Sequence, residues 1–150
     1  MNVPILFPPT SRVAEFVLDV SVPAAWVVVR RSTGYTDAVQ RKLLTAAILV
    51  PTSWPLDLTD HFLAAISRRE TTQQRVDHVL TGLGGIGLHI DDEGPYRVWT
   101  EMMPLARAHS ISVREAAYLE LALRTTLPLA TINPALTRAA TAAGVPIFTP

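Results

Sequence analysis

The stretch EFVLDVSVPAAW, Glu15 to Trp26, decides how the chain folds. Phe16, Val17 and Leu18 form a short apolar run with the composition of a buried strand, expected over Glu15 to Val20. That strand ends on a carboxylate, Asp19. Ser21 and Pro23 follow at once and open a helix, expected over about Val22 to Arg31. A charge where a core strand stops needs partners, because burying it alone is strongly unfavourable. The sequence therefore asks for a polar site at that point.

Working outward, short apolar runs alternate with longer helical ones. The proline-rich PILFPPT belongs to an extended lead-in over residues 1–14. After the break STGY a helix is expected over about Thr36 to Ala46, then a second strand in AILVP. TSWPLDLTDHFLAAISRRE reads as an amphipathic helix, with Ser53 as its N-cap and Pro55 early in it. A helix over about Thr71 to Leu80 stops at the glycine-rich TGLGG. IGLHI is a third strand and DDEGP a polar, solvated turn. Helices over about Pro95 to Ala108 and Val113 to Thr125 precede a fourth strand in LPLATI. PALTRAATAAG is a helix and VPIF a last strand. Strands alternating with helices imply an α/β fold, with a mostly parallel central sheet and helices on both faces, in one domain over 1–150. Ligands of such sheets bind at the carboxyl ends of the strands, where Asp19 lies.

Composition narrows the function classes. Hydrophobic residues make up 49% of 150, enough for a real core. No apolar run approaches the roughly 20 residues that cross a bilayer, and MNVPILFPPT lacks the features of a signal peptide, so a cytoplasmic protein without a membrane segment is expected. The absence of cysteine excludes disulfides and thiolate metal sites. Thirteen basic residues balance thirteen acidic ones, so no global charge draws the chain to nucleic acid, although twelve of the cations are Arg and a local basic groove stays open. Trp26, Trp54 and Trp99 read as packing anchors, and His61, His78 and His109 lack metal-pair spacing.

Four residues can meet at one sheet edge. Asp19 ends strand one. Asn133 ends strand four, with Thr131 two residues before it. Asp57 lies in the first turn of the helix after strand two, and Glu115 in the first turn of the helix before strand four. Three carboxylates and an amide oxygen are hard ligands suited to Mg²⁺ or Mn²⁺. Each also has a structural reading. Ser112-x-x-Glu115 is a capping box, Asp57 suits a helix N-terminus, and Asn133 before Pro134 suits an N-cap.

The pattern resembles a PIN-domain ribonuclease of the VapC toxin type. FVLDVSVPAAWV is similar to that family's opening motif, and ILVPTSWPLDLTDHFLAAISR to its second. HSISVREAAYLELALRTTLPLATINPALTRAATAAGVPIF is similar to the remaining two, so the likeness covers Glu15 to Phe148. The resemblance implies a PIN-like three-layer sandwich and a Mg²⁺- or Mn²⁺-dependent endoribonuclease that hydrolyses RNA phosphodiester bonds. It also implies a homodimer inhibited by a cognate antitoxin, for which apolar helix faces between Val22 and Ala47 are candidates. Asp19, Asp57, Glu115 and Asn133 would be the catalytic and metal-binding positions, with Ser21, Asp60 and Thr131 in support.

The sequence departs from the family where it matters. The usual Glu is Asp57, the usual Asn is Asp60, the third acid is Glu115 rather than Asp, and the fourth is Asn133. Asp60, three residues beyond Asp57, is expected to restore part of the charge that Asn133 removes. These substitutions keep a second function open, a catalytically impaired PIN-fold protein that binds RNA or an antitoxin.

Overall fold

The computed structural model of the chain describes residues 10–150; residues 1–9 of the expected lead-in lie outside the described residues. The protein is α/β. Among the described residues four strands, β1 (Ala14–Leu18), β2 (Ala47–Pro51), β3 (Gly87–Asp91) and β4 (Leu129–Ala130), form an all-parallel sheet in the order β3-β2-β1-β4. Among the described residues seven α-helices flank it: α1 (Ser21–Trp26), α2 (Gly34–Lys42), α3 (Trp54–Ser67), α4 (Gln73–Leu83), α5 (Met103–His109), α6 (Val113–Thr125) and α7 (Pro134–Ala142).

Strand order fixes where the helices lie. The chain steps from β1 outward to β2 and β3, then returns past β1 to β4. Right-handed crossovers in opposite directions send α1–α4 to one face and α5–α7 to the other. Accordingly α1 packs on α2 and α3, while α6 packs on α5, α7 and the strands beneath. Both faces of β1 are covered, so Phe16, Val17 and Leu18 are all fully buried. The reversal of direction also opens a crevice between the carboxyl ends of β1 and β4.

Several boundaries differ from the sequence-based expectation, each for a local reason. The first helix ends at Trp26, and only a 3₁₀ turn over Val29–Arg31 follows, because Val28 is extended (φ −118°, ψ 102°) within a β-branched run that resists helix. α2 starts earlier than expected, at Gly34, because Thr33 and Thr36 cap each other reciprocally. α4 runs on through Gly82 to bury Leu83. The helix expected over Pro95 to Ala108 is instead a 3₁₀ turn, a π-helical turn over Val98–Met102, and then α5. Pro104 lacks the N–H that would continue an α-helical ladder, and the chain widens just before it. β4 has two residues, and the expected last strand is reduced to one parallel bridge, Leu129 to Ile147.

The acidic turn after β3 is not simply solvated. Asp91 is buried and accepts hydrogen bonds from Arg124 at 2.7 Å and from the Gly94 N–H at 2.9 Å. A Cβ at Gly94 would stand 2.8 Å from that same oxygen, so any larger residue there would have to displace the Asp91 carboxylate. Arg124 also bonds the buried Glu120, tying the end of β3 to α6. Trp26 and Trp54 are core residues as expected, whereas Trp99 is 82% exposed. Among the described residues no helix is long and apolar enough to cross a membrane.

Candidate metal centre

The crevice at the end of β1 is built from the sheet upward. The Asp19 N–H still donates to Ala130 O at 3.0 Å, which keeps the ends of β1 and β4 in register one residue past the strand. That register sets Thr131 beside Asp19. The hydroxyls of Ser21 (2.6 Å) and Thr131 (2.7 Å) both donate to Asp19 Oδ2. Ser21 Oγ in turn accepts from the Ile132 N–H, and Thr131 Oγ1 from the Asn133 N–H. Asp19 is 3% exposed. Burial pushes its carboxyl up. The Ser21 and Thr131 hydroxyls, the Ser21 backbone and the nearby His61 offset that only in part.

Asp19, Asp57 and Glu115 line one cavity of about 260 Å³, together with His61, Arg114, Tyr118 and Asn133. Three carboxylates there face one guanidinium. The sign of the potential is felt by the Tyr118 phenol, which burial, then Asp19 and Asp57, push well above its ordinary value. Asp57 is buried at the start of α3. Its Oδ1 meets Arg114 at 3.3 Å, while its Oδ2 is buried and has no hydrogen-bond partner among the described residues.

Glu115 and Asn133 have specific roles. Glu115 closes the capping box of α6: its Oε2 accepts from the Ser112 N–H at 2.7 Å, and its own N–H donates to Ser112 Oγ. Its Oε1 accepts from Asn133 Nδ2 at 2.7 Å. Burial is the largest single influence on this carboxyl and works to raise it. The bonds from the Ser112 backbone, the Asn133 amide and the Ser112 hydroxyl together outweigh burial and hold it below its ordinary value. Asn133 caps α7, with Oδ1 accepting from the N–H groups of Ala135 (2.9 Å) and Leu136 (3.2 Å). Those donors fix the orientation of the amide, since a flip would set NH₂ against N–H. The group that Asn133 turns to Glu115 is thus a donor, and its oxygen is engaged in the helix cap.

Every candidate position from the sequence except Asp60 belongs to this cavity or to the hydrogen-bond shell of Asp19. Asp60 is exposed and does not line the cavity; one residue further, His61 does. His61, Arg114 and Tyr118 were not among the sequence candidates. Spacing held a signal for two of them, because His61 is four residues from Asp57 and Tyr118 three from Glu115, each on a shared helix face. Arg114 gave none beyond its place next to Glu115.

Among the described residues no three His, Cys, Asp or Glu side chains are drawn together as a ready ligand set. Arg114 and Asn133 hold two of the three carboxylates instead. The donor chemistry nevertheless fits a hard divalent ion: all-oxygen ligands, a desolvated Asp19, and the unpartnered Asp57 Oδ2. In comparisons with known proteins, no family model matches the chain, and no curated protein does.

Two outcomes follow from this geometry. A carboxyl raised by folding contributes stability that is complete below its unfolded pKa and is lost as pH rises through the folded pKa. Asp19→Asn is therefore expected to raise the urea midpoint of metal-free protein at neutral pH, with the gain disappearing in acid. A gain independent of pH would contradict this. Asn133→Asp is expected to destabilise metal-free protein by about 1–3 kcal/mol, because a carboxylate would replace the donor facing Glu115. Saturating Mn²⁺ should recover that loss in a thermal melt, and a loss unaffected by Mn²⁺ would contradict the like-charge explanation.

Proposed function

We propose that the chain is a PIN-domain ribonuclease of the VapC toxin type, a Mg²⁺- or Mn²⁺-dependent endoribonuclease that hydrolyses RNA phosphodiester bonds. The observation that carries this reading is the meeting of Asp19, Asp57 and Glu115, from three separate segments, in one cavity at the strand-order reversal. The sequence resemblance over Glu15 to Phe148 supplies the reaction class.

Asp19, Asp57 and Glu115 would hold the ion. When bound, such an ion neutralises charge on a phosphoryl group and makes water a nucleophile near neutral pH. The chain's own residues do the rest. Ser21 and Thr131 fix Asp19 by bonding one of its oxygens. Asn133 fixes Glu115, and burial keeps Asp19 and Asp57 dry enough for their charge to act strongly.

The partners belong to the same proposal. The antitoxin is assigned to the cleft between α1, α2 and α4. Most of the apolar face between Val22 and Ala47 is core, including Val22, Val27, Val39 and Leu43. Val29 and Leu44 remain exposed at the cleft. The homodimer contact is assigned to the apolar surface around Leu56, Val98 and Val113, next to the acidic cavity. The cytoplasm is the proposed compartment.

A second reading, a catalytically impaired binding module, is favoured by two observations: the Asn133 oxygen is committed to a helix cap, and Arg114 occupies Asp57. Incubating antitoxin-free protein with total RNA decides between them, using Asp19→Ala purified identically. Mn²⁺- or Mg²⁺-dependent cleavage by the native protein, absent in the variant, is expected. Equal silence from both folded proteins would overturn the nuclease and leave the binding module.

A further inference from the structure

Arg114 has one structural partner, the buried carboxylate of Asp57. It stands in the first turn of α6, where the helix dipole disfavours a cation. Its side chain is 70% exposed, so it fills no space in the core. What it does face is the carboxylate of Asp57, itself 7% exposed, at 3.3 Å through one terminal nitrogen. The other Asp57 oxygen is buried without a partner. Arg114 also lines an apolar cleft of about 380 Å³ that backs onto the acidic cavity. Residues of the same two helices divide between them, Leu56 and Val113 lining the apolar cleft and Asp57 and Glu115 the acidic cavity, and Arg114 lines both and so marks the ridge between them. An exposed guanidinium on that ridge reaches either side.

Resting on the metal-dependent reading above, we propose that Arg114 is a displaceable internal counter-ion. In the metal-free protein it neutralises Asp57 and keeps three carboxylates from facing one another uncompensated. When a divalent ion takes Asp57, Arg114 swings to the ridge between the two cavities and anchors a backbone phosphate of the RNA. The long, exposed side chain makes the exchange easy, because an ion pair with one partner in solvent is weak. A guanidinium suits the second position because its fork of N–H donors matches phosphate oxygens.

The test is a calorimetric Mn²⁺ titration of the wild type, Arg114→Gln and Arg114→Lys without RNA. It is paired with binding of a 2′-O-methyl, non-cleavable single-stranded oligonucleotide in saturating Mn²⁺. Arg114→Gln is expected to bind Mn²⁺ about 3- to 10-fold more tightly than wild type, with Arg114→Lys close to wild type. The Gln variant should bind the oligonucleotide more weakly, with the slope of log affinity against log salt reduced by about 0.7. A role in folding alone would lower the thermal midpoint of the Gln variant and leave its Mn²⁺ affinity as in wild type. Mn²⁺ binding of equal strength in all three proteins would overturn the counter-ion role and leave the metal centre standing. Unchanged RNA affinity and salt slope in the Gln variant would overturn the phosphate anchor. Failure of all three folded proteins to bind Mn²⁺ would overturn the metal centre, and the role of Arg114 with it.

Discussion

Burial of the Asp19 carboxylate at the carboxyl end of β1 is the constraint around which this fold is arranged. Desolvating a carboxylate costs several kcal/mol unless donors replace water. Here the replacement is a pair of short bonds, one supplied by the strand order and one by the next turn of the chain. Thr131 reaches Asp19 because β4 lies beside β1, and β4 lies there because the chain reverses direction after β3. Ser21 reaches it because α1 starts two residues after the carboxylate. The hydroxyls offset burial only in part, so the Asp19 carboxyl stays raised toward its neutral form.

The rest of the cavity balances like charges. Like charges lining one cavity repel one another, and the more strongly the less water lies between them. The chain answers with donors from neighbouring elements, the Asn133 amide at Glu115 and the Arg114 guanidinium at Asp57. Neither is inert scaffolding. Asn133 joins the cap of α7 to the cap of α6 through a single side chain, so the position of Glu115 is set by two helix N-termini at once. This gives a physical account of an amide at a position where the resembling family has an acid.

Most of the fold was legible in the sequence because its strands are short β-branched or apolar runs bounded by turn residues. Phe16 to Leu18 and AILVP are clear cases. The failures lie where local pattern and tertiary demand diverge. LPLATI has six residues, of which two pair as β4, and VPIF makes only a bridge. The Pro95 to Ala108 segment has a helical pattern, but Pro104 interrupts its hydrogen-bond ladder. Within the site, Asp19, Asp57 and Glu115 were legible because strand ends and first helical turns face one edge of a parallel sheet. Asp60 stands at the resembling family's Asn position and three residues beyond Asp57, yet it is exposed and outside the cavity. At 100° per residue the fourth falls nearer the azimuth of Asp57, and it is His61 that lines the cavity. The donor role of Asn133 and the contact of Arg114 depend on which side chain lies across the cavity, and spacing along the chain carries no trace of that.

A divalent ion is the occupant proposed for the acidic cavity. Diffraction from crystals soaked in Mn²⁺, collected on both sides of the manganese absorption edge, tests it most directly. The expected result is an anomalous peak in the cavity, bonded to an oxygen of Asp19 at about 2.0–2.3 Å and to Asp57 or Glu115. A well-ordered cavity with no peak, Arg114 still on Asp57 and manganese found only elsewhere would contradict the claim.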